Sequence, residues 1–308
     1  MGGITMHSRL LRRALVTLLA ATALTALVPA AAAQATNATD CDLYTAGNSN
    51  KLAAGERLAP GTRFVPTPGK PELVMQEDGN LVIYAVGYPG GPDLPLWSSG
   101  TWGNPGAYAL MQEDGNFVVY KKGGGPDKGG ALWHTGTYGD RILQTPVMVS
   151  FYDSGELVVS GRSPDPYQSW HSWTMRRHSK LCANAPSGLT PNWEQGNWTE
   201  SDSVWLVLQQ DNNLVMYRKR DGQAIWSSGT WHTSAAYNGR VYLEMPRSGD
   251  LNVRDFYPNF TIRWRSGTGG NDGAYALLQD DGNFVVYKQD GGPGKGGALW
   301  HTATYNKI

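Results

Sequence analysis

The chain has 308 residues, 40% of them hydrophobic and only 17% charged, a makeup that can bury a core and is unlike that of a disordered chain. Lys plus Arg and Asp plus Glu number 26 each; beyond residue 33, after Arg9, Arg12 and Arg13, 23 bases face 26 acids, which excludes the basic footprint of a nucleic-acid binder. The 39 Gly, 12 Trp and 15 Tyr, against 6 Phe, point to many turns and an all-β chain.

Residues 1–33 read as a secretory signal. Arg9, Arg12 and Arg13 form a basic start, Ala14 to Ala30 an apolar stretch, and Ala31, Ala32 and Ala33 a small-residue cleavage site. Cutting after Ala35 fits almost as well. The apolar run of about 17 residues is short for a membrane span, and no later segment is apolar enough to cross a bilayer. The expectation is export, cleavage near Ala33 and a soluble mature protein. Cys41 and Cys182 are the two cysteines. In an oxidising compartment two cysteines often pair, and a bridge here would staple together the entrances of two repeat arrays. Two separate thiols are the alternative, because spacing alone does not show that the Cα atoms approach.

Internal repetition dominates from residue 70 onward. The clear copies are MQEDGNLVIY (75–84), MQEDGNFVVY (111–120), LQQDNNLVMY (208–217) and LQDDGNFVVY (278–287). Each leads to a Trp phrase: LWSSGT (96–101), LWHTGT (132–137), IWSSGT (225–230) and LWHTAT (299–304). Two weaker copies fit the same frame. FYDSGELVVS (151–160) leads to SWHSWT (169–174), and MPRSGDLNVR (245–254) leads to RWRSGT (263–268). Successive units start 36, 40, 57, 37 and 33 residues apart. The long gap holds HSKLCANAPSGLTPN (178–192), which has a linker's composition. The chain therefore divides into three units plus three.

Each unit is built from β signals: Leu, Val, Ile and Tyr crowd both sides of an Asp-Gly-Asn or Asp-Asn-Asn turn. No window of 12 or more residues carries a helical apolar period. One hairpin cannot bury both faces, so three small sheets around a shared centre is the economical solution. Trp97, Trp133 and Trp170, then Trp226, Trp264 and Trp300, supply one bulky core group per unit. They persist in the weak copies, which favours packing over sugar stacking.

Four units carry Gln-x-Asp-x-Asn-x-Val-x-Tyr in full: Gln76, Asp78, Asn80, Val82, Tyr84; Gln112, Asp114, Asn116, Val118, Tyr120; Gln209, Asp211, Asn213, Val215, Tyr217; and Gln279, Asp281, Asn283, Val285, Tyr287. Spacing by two puts all five on one strand face. A three-residue loop Asp78-Gly79-Asn80 would set Gln76 opposite Val82 and keep all five on one side, with Gly or Asn taking the positive φ. The product is a shallow pocket of one carboxylate, two amides, a phenol and an aliphatic patch, suited to a neutral polyol. It has no second carboxylate at glycosidase separation, no nucleophile with its base and no phosphate loop, so no enzymatic activity and no cofactor are expected. The weak copies substitute the set together, with Tyr152, Ser154, Glu156, Val158, Ser160 and with Pro246, Ser248, Asp250, Asn252, Arg254. They keep the turn Gly and the Trp, so the polar set is dispensable for building a unit.

The motif followed by its Trp phrase resembles the bulb-type lectins, the snowdrop-agglutinin-like mannose-binding family, over about residues 43–308. The resemblance implies two tandem β-prism II domains (43–177 and 178–308), each of three four-stranded sheets with pseudo-threefold symmetry and Trp at the centre. It implies metal-independent, multivalent binding of mannose-type glycans on cell surfaces or polysaccharides, with a possible homodimer and no membrane insertion. Asp78 and Asn80 would hold the axial 2-hydroxyl, Gln76 the 3-hydroxyl and Tyr84 the 4-hydroxyl, with Val82 against the ring carbons; the other intact units follow. The third and fifth units would be dead or altered. Tandem bacterial members include lectin-like bacteriocins, so a rhamnose-type sugar on a competing bacterium is the alternative target. His134, His171 and His301 read as outward strand residues without a clustered metal partner. Trp102 and Trp231 either border a pocket or cover a loop, and Lys121, Lys122 and Lys128 read as a solvated loop.

Overall fold

The computed structural model describes residues 47–138, 147–160, 169–183, 193–231, 241–255 and 260–308. Cys41 and the leader lie outside these. The described residues form strands and turns with no helix. Three short strands open the first half: β1 (Ser49–Ala53), β2 (Arg57–Leu58) and β3 (Arg63–Phe64). The repeats then contribute three strands each. They are β4 (Glu72–Met75), β5 (Leu81–Ala85) and β6 (Leu94–Ser98); β7 (Tyr108–Met111), β8 (Phe117–Gly125) and β9 (Gly129–His134); and β10 (Met148–Tyr152), β11 (Leu157–Ser160) and β12 (Trp170–His171).

The second half repeats the plan. Its opening strands are β13 (Lys180–Cys182), β14 (Trp193–Glu194) and β15 (Trp198–Glu200). Its repeats are β16 (Val204–Leu208), β17 (Leu214–Arg218) and β18 (Ala224–Ser227); β19 (Val241–Glu244), β20 (Asn252–Asp255) and β21 (Ile262–Arg265); and β22 (Tyr275–Leu278), β23 (Phe284–Gly292) and β24 (Gly296–His301).

Each repeat is a three-stranded antiparallel meander, and an opening strand supplies the fourth. The order of pairing is reversed: β1 joins the third unit, β2 the second and β3 the first, and likewise β13, β14 and β15 join the sixth, fifth and fourth. Six four-stranded sheets result, three in each half, and no sheet mixes the halves. This is a tandem pair of β-prisms. The stretch from 178 onward is thus not wholly linker, because Lys180–Cys182 pair with Tyr275–Leu277. Its Gly/Pro composition describes a connection, but Leu181 is fully buried as the inward residue of a strand.

Alternation builds the core. Leu73, Met75, Leu81 and Ile83 are fully buried on the inner face of the first sheet, as are Met111, Phe117 and Val119 in the second and Val149, Phe151, Leu157 and Val159 in the third. Where the three sheets converge, Trp97, Trp133 and Trp170 meet edge to face with centroids 5.3, 5.5 and 5.4 Å apart. Trp226, Trp264 and Trp300 do the same at 5.6, 5.8 and 5.1 Å. Rings in this arrangement set a positive edge against a negative face, so each triad ties three sheets through three equivalent contacts.

The described residues of both halves belong to one compact unit, and the halves share a seam. Trp198 and Trp205 are buried in the apolar cluster of the first half. The Trp198 indole N–H donates to the carbonyls of Ser154 (3.2 Å) and Thr174 (3.0 Å). Its backbone N–H donates to Met175 O at 3.1 Å and its carbonyl accepts from Arg177 N at 2.7 Å. Glu200 bridges Arg176 at 3.0 Å and Lys219 at 2.7 Å.

Replacing one ring of a triad removes two of its three contacts. Trp133→Ala should therefore cost about 3–5 kcal/mol in urea unfolding of the full chain, whereas a loss within about 0.5 kcal/mol, as at a surface position, would contradict a structural role for the triad.

Candidate functional site

Every intact motif closes in the same way. Gly79 N–H donates to Gln76 O at 3.1 Å and Gln76 N–H to Asn80 O at 2.9 Å, which makes the loop Glu77-Asp78-Gly79. The loop has three residues, but it lies one position earlier than the motif suggests. Gln76 faces Asn80, and Val74 faces Val82. Parity is unchanged, so all five motif residues still share a face. The last loop residue takes positive φ, as a type I turn with a G1 bulge requires: Gly79 at 92°, Gly115 at 95°, Asn212 at 76° and Gly282 at 77°. A Cβ on Gly79 would sit 2.2 Å from Asn104 O, so this position excludes a side chain by space as well as by φ.

The loop aims the polar groups. Asp78 Oδ1 accepts from Asn80 N–H at 2.9 Å, and Asp114, Asp211 and Asp281 accept from their Asn at 2.9, 3.0 and 2.9 Å. Gln76 Nε2 donates to Tyr84 Oη at 2.9 Å; the other pairs, Gln112–Tyr120, Gln209–Tyr217 and Gln279–Tyr287, lie at 2.9, 2.7 and 2.9 Å. A one-residue register shift just before the Tyr, between Ile83 and Tyr84 in the first unit, re-aims the phenol. The same shift precedes Tyr120, Tyr217 and Tyr287.

The asparagine has a structural task that sequence reasoning missed. Asn80 Oδ1 accepts from Ser99 Oγ (3.2 Å) and Thr101 N–H (3.1 Å). Asn116 Oδ1 likewise accepts from Thr135 Oγ1 (3.1 Å) and Gly136 N–H (2.9 Å). In the fifth unit Asp250 Oδ1 takes the same bonds, from Ser266 Oγ at 3.3 Å and Thr268 N–H at 3.0 Å. The oxygen therefore latches the turn to the Trp strand, while the amide NH2 of each intact Asn makes no hydrogen bond among the described residues. The signal was the Ser/Thr-x-Thr that ends every Trp phrase.

The four Asp are exposed, and the second oxygen of each has no hydrogen-bond partner among the described residues. Val82, Val118, Val215 and Val285 are at most 3% exposed. The open aliphatic patch that spacing suggests is therefore largely closed to solvent. Burial raises the phenol pKa of Tyr84, Tyr120, Tyr217 and Tyr287 above the ordinary 10.0; the Gln hydrogen bond lowers it and the neighbouring Asp raises it again. Each phenol is thus held neutral as a hydrogen-bonding group. The arrangement offers carboxylate acceptors, amide donors and a phenol on one shallow surface, with no nucleophile beside a base within any intact set.

The weak units keep the frame and not the polar set. In the third, Ser154 Oγ accepts from Glu156 N–H at 3.3 Å, and Glu156 pairs with His171 Nδ1 at 2.8 Å. In the fifth, Arg254 pairs with Glu244 at 2.9 Å where the four intact units have Tyr. His134 and His301 are exposed at strand ends, as are Lys121, Lys122 and Lys128 around their loop. Trp102 and Trp231 are 71% and 63% exposed. No group of three or more His, Cys, Asp or Glu placed to hold a metal occurs among the described residues. Cys182 lies buried on β13, the edge strand that opens the second half.

Mannose-specific lectin 2 of Colocasia esculenta is 32% identical to this chain over 105 residues, 33% of each chain. Mannose-specific lectin 2 of Crocus vernus is 31% identical over 100 residues, 32% of this chain and 33% of its own. Each match spans about a third of the relative's length. No protein-family model matches the chain. Among solved structures, the mannose-specific agglutinin of snowdrop (Galanthus nivalis) with methyl-α-D-mannoside aligns at 28% identity over 37% of this chain and 94% of its own, TM-score 0.30. A monomeric monocot mannose-binding lectin of Gastrodia elata aligns at 28% over 41% and 97%, TM-score 0.31. The two-domain, fetuin-binding agglutinin of Scilla campanulata aligns at 18% over 83% and 100%, TM-score 0.31.

Two outcomes follow from this geometry. Asn116→Ala leaves the Gly136 N–H without its acceptor and should cost about 1–3 kcal/mol, whereas Asn116→Asp, which copies Asp250, should stay within about 1 kcal/mol; thermal unfolding of both variants separates a latch from a filler. The raised phenols give a pH signature. Below pH 10 they are protonated in both folded and unfolded chains, so their contribution is complete. Above it the unfolded chain ionises first, and stability falls as pH rises through the folded value. Absorbance titration at about 295 nm should show a late-ionising tyrosine fraction, in keeping with the raised phenol pKa, and this should shrink when Tyr84, Tyr120, Tyr217 and Tyr287 are all Phe.

Proposed function

We infer that this chain is a bulb-type lectin: a non-enzymatic protein that recognises terminal D-mannose-type sugars through four pockets, without a metal. One observation carries the reading. Four units hold the same five residues with the same hydrogen bonds, while two units that lack the set fold on the same frame and close on the same threonine. A polar array of which only the Asn oxygen serves the frame, repeated in one geometry, is explained by a ligand. The mannose-specific relatives supply the sugar class.

In this reading Asp78 and Asn80 hold one hydroxyl between the free carboxylate oxygen and the amide NH2. Gln76 and Tyr84 present the next two positions, and Val82 shares their face. Asp114, Asp211 and Asp281 with their partners repeat the scheme. The leader, residues 1–33, is removed on export, residues 43–177 and 178–308 are the two lectin domains, and Cys41 pairs with Cys182. The partners are mannose-type glycans outside the cell.

The test is a glycan array with the purified chain in EDTA, followed by calorimetry. Mannose-terminated glycans should bind and free mannose should compete, with single-site affinity around millimolar. Asp114→Ala should remove one site from the stoichiometry without unfolding the protein, and replacing all four Asp should abolish binding. Undiminished binding in the fourfold variant would remove the reading.

A further inference from the structure

The residue that follows the closing threonine divides the six units into two classes. In the four intact units it is aromatic: Trp102, Tyr138, Trp231 and Tyr305. In the third and fifth it is Met175 and Gly269. The four rings are among the most exposed large side chains described, at 71%, 64%, 63% and 49%. A ring so exposed adds little to the core, and aromatic surface turned to water commonly marks a contact site. Its presence follows the polar set, not the frame.

Position ties each ring to its pocket. The threonine before it donates its hydroxyl to the carbonyl of the positive-φ turn residue: Thr101 to Gly79 at 2.7 Å, Thr137 to Gly115 at 2.6 Å, Thr230 to Asn212 at 2.7 Å and Thr304 to Gly282 at 2.6 Å. Beyond Trp102, Asn104 N–H donates to Asp78 O at 2.9 Å. The chain on both sides of Trp102 is therefore anchored to the turn that carries Asp78 and Asn80.

We propose that Trp102, Tyr138, Trp231 and Tyr305 each form a stacking subsite next to an intact pocket, so that the ligand is an oligosaccharide whose second ring lies against the aromatic face. This rests on the carbohydrate-binding reading above. Aromatic faces suit the C–H surface of a pyranose, and they add affinity without adding a hydrogen bond. Trp102 and Trp231 offer more surface than Tyr138 and Tyr305, so the first and fourth units discriminate most strongly for chain length.

The experiment compares the wild-type chain with the fourfold variant Trp102→Ala, Tyr138→Ala, Trp231→Ala, Tyr305→Ala, titrated with methyl α-D-mannoside and with an α-linked mannotriose. Because the rings are exposed, the variant should melt with the wild type. The monosaccharide should bind both equally. The trisaccharide should bind the wild type more tightly, and the variant should lose roughly three- to tenfold of that gain; Trp102→Tyr with Trp231→Tyr should retain part of it. A variant that keeps the full preference for the trisaccharide, or a wild type that has none, overturns the subsite. So does loss of monosaccharide binding in the variant, which would place the rings inside the primary pocket. A folded wild type that binds neither sugar instead overturns the carbohydrate reading, and the fourfold Asp variant reports on that reading alone by losing both sugars.

Discussion

One hydroxyl-to-carbonyl bond recurs in all six units, and the rest of each unit is arranged around it. A residue at positive φ ends the hairpin loop and turns its carbonyl inward, where an unmet acceptor would be costly. Thr101, Thr137, Thr174, Thr230, Thr268 and Thr304 meet it at 2.5–2.7 Å. Each of these hydroxyls also touches a second Ser or Thr hydroxyl two residues earlier, at 2.6–2.7 Å. The bond fixes the third strand of the meander to the turn between the first two, and so places the Trp strand over the core. None of its members belongs to the Gln-Asp-Asn-Val-Tyr set. That is why Gln, Asp and Tyr can be replaced together while the frame persists; of the set, the Asn oxygen alone is shown bonding to it, as at Asn80 with Ser99 and Thr101.

How much was legible depended on how local the cause was. Hairpins, core Trp and the shared face of the motif follow from a period of two and from repetition, and both are written in adjacent residues. The opening strands β1, β2 and β3 are not. Arg57–Leu58 and Arg63–Phe64 are two residues each, too short to alternate, and they are strands only because Leu110 and Val74 wait across the sheet. The turn was legible in length but not in placement, since loops at 77–79 and at 78–80 have the same parity and differ only in where Gly79 falls. Val82 was legible as sharing the motif face, but not its near-complete burial, nor the bond between Gln76 and Tyr84, eight residues apart.

The weak units differ in what replaced the motif. In the fifth, Asp250 keeps the latch while the carboxylate and phenol positions become Ser248 and Arg254, the latter paired with Glu244. In the third, the turn end of the unit serves the seam instead: Ser154 and Thr174 give their carbonyls to Trp198, and Trp173, at a φ of 59° where four other units have Gly, accepts at its own carbonyl from Asn197 Nδ2 at 2.8 Å. A Trp held in the left-handed region is strained, and the bond from the second half is one of the contacts that holds it there.

The seam also bears on how the protein can be divided. One indole of the second half donates to two carbonyls of the first, and Trp198 and Trp205 close the apolar cluster of a prism to which their own strands do not belong. Cutting the chain between the prisms would leave the leading piece with an open apolar wall and, at Thr174, a carbonyl that has lost its indole donor where the third repeat turns. The duplication therefore no longer yields two interchangeable parts: the leading prism needs the indoles of its successor, the successor needs the wall that buries them, and symmetry in the sequence conceals a seam that neither half repeats elsewhere.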